Sequence, residues 1–344
     1  MKFKNIKAAL FIGFSLIIIM MSVYFYQVFF NPNLLITQEK AVLYIPENAD
    51  INQVIDSLKK HKYLEDVVSF GFVSKVLDYQ ENIKPGRYIL TKKMTNLQAI
   101  RHLRSGVQEP VRVTFNNIRL KEDLAKKICK NVIATEDQFM ELLNNPEYVS
   151  KFGFDTTTII SMFIPNTYEM YWTSTAEDIF SRMKNEYDKF WDDERTAKAS
   201  ELGLTPLQVS ILASIVQAET VKNDEKPVVA GLYLNRLERN MLLESDPTVV
   251  FALRDFGMKR VLKRHLETDS PYNTYKNLGL PPGPINLPEP STLEAVLNYE
   301  HHNYIYMCAK EDFSGYHRFA SNYRQHINNA RKYQQALNRR GVYK

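Results

Sequence analysis

Residues Ala8 to Phe30 form an apolar run in which Gln27 is the only strongly polar side chain. Crossing a bilayer's hydrocarbon core takes roughly 20 apolar residues in a helix, so the run predicts one membrane-spanning helix over residues 8–30. Lys2, Lys4 and Lys7 precede it. Base on that short flank predicts that residues 1–7 stay cytoplasmic and that the rest of the chain lies outside the cytoplasmic (inner) membrane. The run is longer than the apolar part of a cleaved signal, and no Ala-x-Ala-type site follows it, which favours an uncleaved anchor. Tyr24, Tyr26, Phe29 and Phe30 are placed to form an interfacial aromatic belt. With no second run of this kind, all chemistry is expected on the far side of a single-pass anchor.

The 344 residues leave room for two or three further modules. Lys and Arg number 44 against 39 Asp and Glu, a net +5 spread along the chain. Nucleic-acid binding needs base clustered on one face, so no nucleic-acid partner is expected. The two cysteines, Cys129 and Cys308, are far apart and lack metal-ligand spacing, and His301-His302 reads as a solvated turn. No metal or cofactor is expected.

Residues 31–40, with Asn31-Pro32-Asn33, read as a short polar linker. Residues 41–110 read as a small strand–helix–strand–helix module. Its opening strand VLYI is followed by a turn over Pro46–Asp50 and a helix with Val54, Ile55 and Leu58 on one stripe. Pro85-Gly86 turns the chain into a second strand, and a helix begins at Thr95-Asn96 and stops at Gly106. Residues 111–344 read as a larger region with its core at about 155–335, opening with the strand VRVTF and the helix LKEDLAKKICKNV. The class expected for the whole is α+β.

The densest chemistry runs from Leu204 to His326. Thr205-Pro206-Leu207-Gln208 is a helix start, with a capping residue, proline at the first helical position and a side chain that closes a capping box. Counting back from Glu219 by helical steps gives Val216, Ile215, Leu212 and Gln208. Glu219 is thus expected on an apolar face, with Ser210 and Gln217 pointing away. Desolvation raises a carboxyl pKa, which suits a general acid at neutral pH. A helix-terminal glutamate bent into solvent is the alternative that periodicity leaves open. Asn235-Arg236 then ends the helix VVAGLYLNRL, and Asp246-Pro247-Thr248 makes another helix start, with Asp246 as its cap or facing a cleft. A Pro/Gly-rich stretch carries Tyr272, Asn273, Thr274 and Tyr275, aromatic rings beside amide and hydroxyl groups that suit a sugar. Tyr304–Met307 reads as a strand, Gly315 turns the chain, His317 and Phe319 alternate on a return strand, and a basic helical tail follows.

The blocks LASIVQAET, LNRL, SDPTVVFAL and YNTYKNLGLPPGPI resemble the YceG-like (MltG) endolytic murein transglycosylases, as does the closing D-x-x-G-x-H-x-F pattern over Asp312–Phe319. Phe163–Tyr168 is similar to a further block of that family. The resemblance covers the whole chain and implies an anchor, a LysM-like module over 41–110 and a catalytic region. Of the two glutamates in the family's helix motif, the first is Gln217 here, so the resemblance implies Glu219 as the catalytic one. Asn166 stands where aspartate is common, and Ile118-Arg119 where Glu-Gly is frequent. The family's matching blocks and the loop residues together give the binding candidates Asn166, Tyr168, Asn235, Asp246, Thr248, Tyr272, Asn273, Thr274, Tyr275 and His317.

The resemblance further implies cleavage of the MurNAc–GlcNAc β-1,4 bond of nascent peptidoglycan glycan strands. The products would carry 1,6-anhydro-MurNAc ends, ending chain elongation, and peptidoglycan synthases are implied as partners. Two other readings stay open. One is a lysozyme-type hydrolase using Glu219 and Asp246; the other is a non-catalytic, membrane-anchored glycan-binding scaffold.

Overall fold

The computed structural model describes the backbone of residues 2–258 and 260–341, with side chains from residue 6 onward. The chain divides into two compact units. The first runs to Arg112 and takes in residues 131–133 and 169–174; the second holds residues 113–130, 134–168 and everything from Thr175 on.

The first unit is built from α1 (Lys2–Phe30), β1 (Lys40–Ile45), α2 (Ile51–Lys60), α3 (Val67–Val76), β2 (Gly86–Thr91) and α4 (Asn96–Ser105). Strands β1 and β2 pair antiparallel, with Val42 opposite Ile89 and Ile45 opposite Gly86. Alternation along β1 sends Ala41, Leu43 and Ile45 into the core, where they meet Tyr88 and Leu90 of β2. Capping boxes fix two helix starts, Asp50 with Gln53 for α2 and Thr95 with Gln98 for α4. Gly106 ends α4 at φ +73°, in the left-handed region where a side chain would strain the backbone.

Two expectations change here. The segment expected as a linker is packed: Asn33, Leu34 and Ile36 are buried, and the amides of Asn33 and Leu34 donate to the Met94 carbonyl. Helix α1 also continues into this core, with Val28 and Phe29 buried, so Phe29 belongs to the unit's interior and not to an aromatic belt. The physical reason is a buried amide cluster that periodicity cannot reveal. Asn33 Nδ2 donates to Asn96 Oδ1 (2.7 Å), and Asn96 Nδ2 donates to the Val28 carbonyl at the end of α1 (2.9 Å). Helix α3 is an addition to the expected order. Its sequence VVSFGFVSKV has apolar residues around most of its circumference and buries two serines, which leaves little amphipathic period to read.

The strand β3 (Val111–Phe115) leads into the second unit, followed by α5 (Lys121–Ile128), α6 (Glu136–Asn144) and α7 (Pro146–Ser150). Then come β4 (Asn166–Met170), which pairs with β3, α8 (Ala176–Phe190), α9 (Asp193–Glu201) and α10 (Pro206–Glu219). The remainder is α11 (Lys226–Glu238), α12 (Asp246–Leu253), α13 (Lys263–Leu266), α14 (Pro290–Leu297), the antiparallel pair β5 (Tyr306–Ala309) and β6 (His317–Ala320), and α15 (Tyr323–Arg339). The class is mixed α+β.

Helix α10 is the hub, packed by α9, α11, α12 and α14. Every residue from Val209 to Val216 is buried, so it has no polar face. Ser210 is inside, its hydroxyl returned to the Pro206 carbonyl (3.0 Å). Gln217 does not point away either. It accepts from the Glu289 amide (2.7 Å) and the Thr292 hydroxyl (3.1 Å), and donates to the Leu287 carbonyl (2.9 Å) and Asn286 Oδ1 (3.1 Å). A glutamate there would have no hydrogens to donate to those two oxygens.

Gly231 in α11 lets the segment after α14 approach: a Cβ there would lie 2.5 Å from the Glu300 carbonyl and 2.9 Å from His302 Nε2. That segment is tied to α11 by Glu300 N–H to Pro227 O (3.1 Å), so the contact cannot simply open. Gly231→Ala is expected to destabilise the second unit by about 1–3 kcal/mol, as overpacking does. Urea unfolding of the wild type and variant measures it.

Candidate active site

The last turn of α10 carries Glu219, after which Thr220 takes an extended conformation and ends the helix. Two neutral donors converge on one carboxyl oxygen: Tyr233 Oη from α11 at 2.7 Å and Ser245 Oγ at 2.5 Å, both to Oε1. Oε2 has no protein partner among the described residues, and Glu219 as a whole is half-buried. With Oε1 accepting twice, the site for a proton on this acid is Oε2. Glu219 lines an open cleft of about 530 Å3 together with Tyr233, Arg236, Asp246, Tyr275 and His317.

Burial is the largest influence on Glu219 and pushes its pKa up; the Ser245 and Tyr233 donors pull it down, the Asp246 charge raises it, and His317 lowers it, leaving it above the usual carboxyl range. Burial, reinforced by the Glu219 charge, also holds the Tyr233 phenol well above its ordinary value, so Tyr233 remains a donor. These opposing influences predict opposite shifts. A general acid works while protonated, so kcat/KM is expected to fall as pH rises through the Glu219 pKa. Ser245→Ala removes a donor that favours the carboxylate and moves that alkaline limb to higher pH. Asp246→Asn removes a nearby negative charge and moves it to lower pH. Profiles of kcat/KM against pH for the three proteins check both signs.

Ser245 is held by hydroxyls beneath the cleft. Its amide donates to Thr274 Oγ1 (3.0 Å), its carbonyl accepts from Thr248 Oγ1 (2.7 Å), and the two threonine hydroxyls bond each other (2.8 Å). It is also the residue before α12, the N-cap position, yet its side chain makes no cap bond because that hydroxyl is given to Glu219. Arg236 pins the preceding loop through the carbonyls of Leu242 (2.8 Å) and Leu243 (3.1 Å) and the Glu244 carboxylate (2.8 Å).

At another side of the cleft His317 is fixed by Glu225, which is only 4% exposed. Glu225 accepts from the His317 amide (2.7 Å), from His317 Nδ1 (2.8 Å) and from the Thr220 hydroxyl (2.9 Å). A carboxylate acceptor places the ring hydrogen on Nδ1.

The expected binding residues fall into three groups. Asp246, Tyr275 and His317 line the Glu219 cleft, with Tyr275 Oη donating to Asp246 Oδ1 (2.6 Å). Thr248, Asn273 and Thr274 are fully buried and Tyr168 nearly so, which corrects their assignment as sugar contacts. Their polar atoms serve the protein: Asn273 donates to the carbonyls of Leu266 and Thr268, and Tyr168 to that of Ile164. Asn235 is half-buried and does not line the Glu219 cleft; its amide nitrogen holds the carbonyls of His302 (2.8 Å) and Tyr304 (3.0 Å). Asn166, on β4, and Tyr272, in a different cleft beside Arg119 and Phe251, lie outside the Glu219 cleft. Asp246 is not the cap of α12 but its first residue.

Tyr233, Ser245 and Glu225 escape the sequence reading. Ser245 stands immediately before Asp246 at a capping position, and that is the available signal. Tyr233 looks like a core residue of an apolar helix, and Glu225 lies in a polar loop with nothing to mark it.

A carboxylic acid with a raised pKa and one free oxygen, set in an open cleft of an α+β unit, is an arrangement suited to acid–base chemistry. The YceG-like family profile matches residues 43–332, and the chain belongs to that family. The endolytic murein transglycosylase of Bacillus subtilis strain 168 is 27% identical over 285 residues, covering 78% of each chain. The protein of that description from Streptococcus pneumoniae strain D39 is 25% identical over 315 residues. That match covers 83% of this chain, which spans only 57% of the pneumococcal relative's length. A crystal structure of a yceG-like protein from Listeria monocytogenes is 25% identical with a TM-score of 0.56, covering 84% of this chain and 98% of that one.

Proposed function

We propose that this chain is a membrane-anchored endolytic transglycosylase of peptidoglycan in which Glu219 is first general acid and then general base. The observation that carries the reading is the paired donation to Glu219 Oε1, which leaves Oε2 as the atom that can carry a proton into the cleft. The activity named for the Bacillus and pneumococcal relatives accords with it.

In the proposed step Glu219 Oε2 gives its proton to the oxygen bridging MurNAc C1 and GlcNAc C4 as the C1–O bond breaks. The substrate's N-acetyl group shares the positive charge at C1. The ionised Glu219 then takes the proton of the MurNAc C6 hydroxyl as that oxygen bonds to C1. One proton leaves and one returns, so the acid is regenerated and no water is consumed. The ends are a free GlcNAc 4-hydroxyl and 1,6-anhydro-MurNAc. Release of Glu219 as a carboxylate is eased by Tyr233 and Ser245, which bond the charged form.

Attack within a strand is supported by two further clefts that adjoin the Glu219 cleft and each share a residue with it. Asp246 also lines a neighbouring cleft of about 440 Å3 with Ala218 and Phe251, and His317 lines one of about 450 Å3 with Glu225 and Tyr304. Asp246, Tyr275 and His317 are proposed as the glycan contacts. The orientation expected of the anchor places the second unit outside the membrane; the LysM-like module and synthase association belong to the same reading.

Mass analysis of products from intact glycan strands tests the reaction. Ends lacking one water relative to hydrolysed strands are expected. Hydrolysed ends would assign the acceptor to water and make Asp246 the second carboxylate of a lysozyme-type site. No cleavage by the full chain in bilayers would leave the glycan-binding scaffold.

A further inference from the structure

Helix α3 has a second apolar face that the first unit does not cover. Phe70 and Val73 are buried, whereas Val68, Phe72 and Val76 are 76%, 51% and 51% exposed. These three are four residues apart in turn, so they form one stripe along the helix. Exposed apolar residues in a contiguous row mark a surface with a partner.

The stripe abuts the end of α1. The Phe72 ring meets Phe29 of α1 edge-on, with centroids 6.3 Å apart. Helix α1 enters the unit without a spacer, because Val28 and Phe29 are buried there and Asn96 bonds the Val28 carbonyl. Charge of both signs flanks the same exit, Glu65 and Asp66 beside Asn33 as well as two lysines. Lys62 precedes Tyr63, whose carbonyl accepts from the Leu35 amide (2.9 Å); Lys93 precedes Met94, whose carbonyl accepts from the amides of Asn33 and Leu34. Both lysines are exposed and have no carboxylate partner among the described residues.

We infer that the outward face of α3 is a lipid-contacting surface, seated in the headgroup–acyl boundary of the leaflet from which α1 emerges, with Lys62 and Lys93 at the level of anionic headgroups. An apolar face beside base is the signature of a helix lying in that boundary. A bilayer is the occupant because the stripe begins where the span ends. The first unit would then rest on the membrane, in addition to hanging from it.

The test uses the full chain with Cys129→Ser and Cys308→Ser, carrying one spin label at position 68, 72 or 76, in phosphatidylcholine–phosphatidylglycerol nanodiscs. Collisions with oxygen are compared with collisions with a nickel chelate. Position 17 within α1 is the lipid reference, and position 107, an exposed valine of the same unit, is the water reference. The expected oxygen-to-nickel ratio at 68, 72 and 76 is several times that at 107 and close to that at 17. Ratios matching position 107 while 17 reports lipid overturn the proposal. Spin–spin broadening at 72 overturns it in favour of a second copy on this face, and water-like behaviour at 17 overturns it together with the anchor.

Discussion

Glu219→Gln is expected to lower strand cleavage by about 10²–10⁴-fold, the usual worth of a general acid–base group. The substitution is close to isosteric, and its amide oxygen can still accept from Tyr233 and Ser245, as Oε1 does now. What it loses is the transferable proton at Oε2. Wild type and variant are compared on the same strands by product chromatography, and retained anhydro-ends at the wild-type rate would sink the assignment.

Stability should move the other way. The folded-state pKa of Glu219 is raised by burial, so the stability linked to this group is full below its unfolded-state pKa and is lost as pH rises through the folded value. A glutamine side chain in its place does not ionise and escapes that loss. The melting temperature of the variant is therefore expected to equal or exceed the wild type's at neutral pH and to gain on it as pH rises. An inactive variant that melted lower throughout would point to misfolding instead.

Arg236→Met is expected to destabilise the second unit strongly, by about 3–5 kcal/mol, because several carbonyls lose their donor together. The Arg236 side chain is 7% exposed, and its fork satisfies the carbonyls of Ile305, Leu242 and Leu243 as well as the Glu244 carboxylate. Methionine fills a similar volume but leaves those carbonyls without donors, at about 1–3 kcal/mol for each one kept from water. The ion pair itself contributes less, because Glu244 is half-exposed. Arg236→Lys retains the charge without the planar fork, and an intermediate loss is expected. Urea midpoints measure both. Activity of the folded fraction should fall too, since the Leu242–Leu243 loop delivers Ser245 to Glu219.

Glu219 is legible in the sequence for a reason that the structure partly replaces. Periodicity sets it on one apolar stripe with polar residues behind, whereas α10 is buried along its length from Val209 to Val216 and Gln217 clamps the Glu289–Thr292 segment. Helical spacing still identifies a glutamate in apolar company. A central helix has no outside for Ser210 and Gln217 to point to, and counting along one helix cannot show how many others surround it. The hydroxyls of Thr248 and Thr274 and the amide of Asn273 illustrate the opposite error. Beside aromatic residues they look like sugar contacts, but each is spent on buried backbone or on a neighbouring hydroxyl.

By itself the sequence determined what depends on neighbours along the chain: the apolar span, the helix start at Thr95, the capping box at Thr205, the helix stop at Gly106 and the candidate acid Glu219. Tertiary structure alone decided which groups meet that acid. Tyr233 lies 14 residues from Glu219 and Ser245 lies 26, and only the packing of α11 and α12 against α10 brings both hydroxyls onto one carboxyl oxygen. It likewise turned Asn33, Leu34 and Ile36 from linker into core, because the partners of Asn33 lie at Asp66 and Asn96. Hydrogen bonds between distant residues leave no period in the sequence, and those bonds fix where the proton on Glu219 can sit.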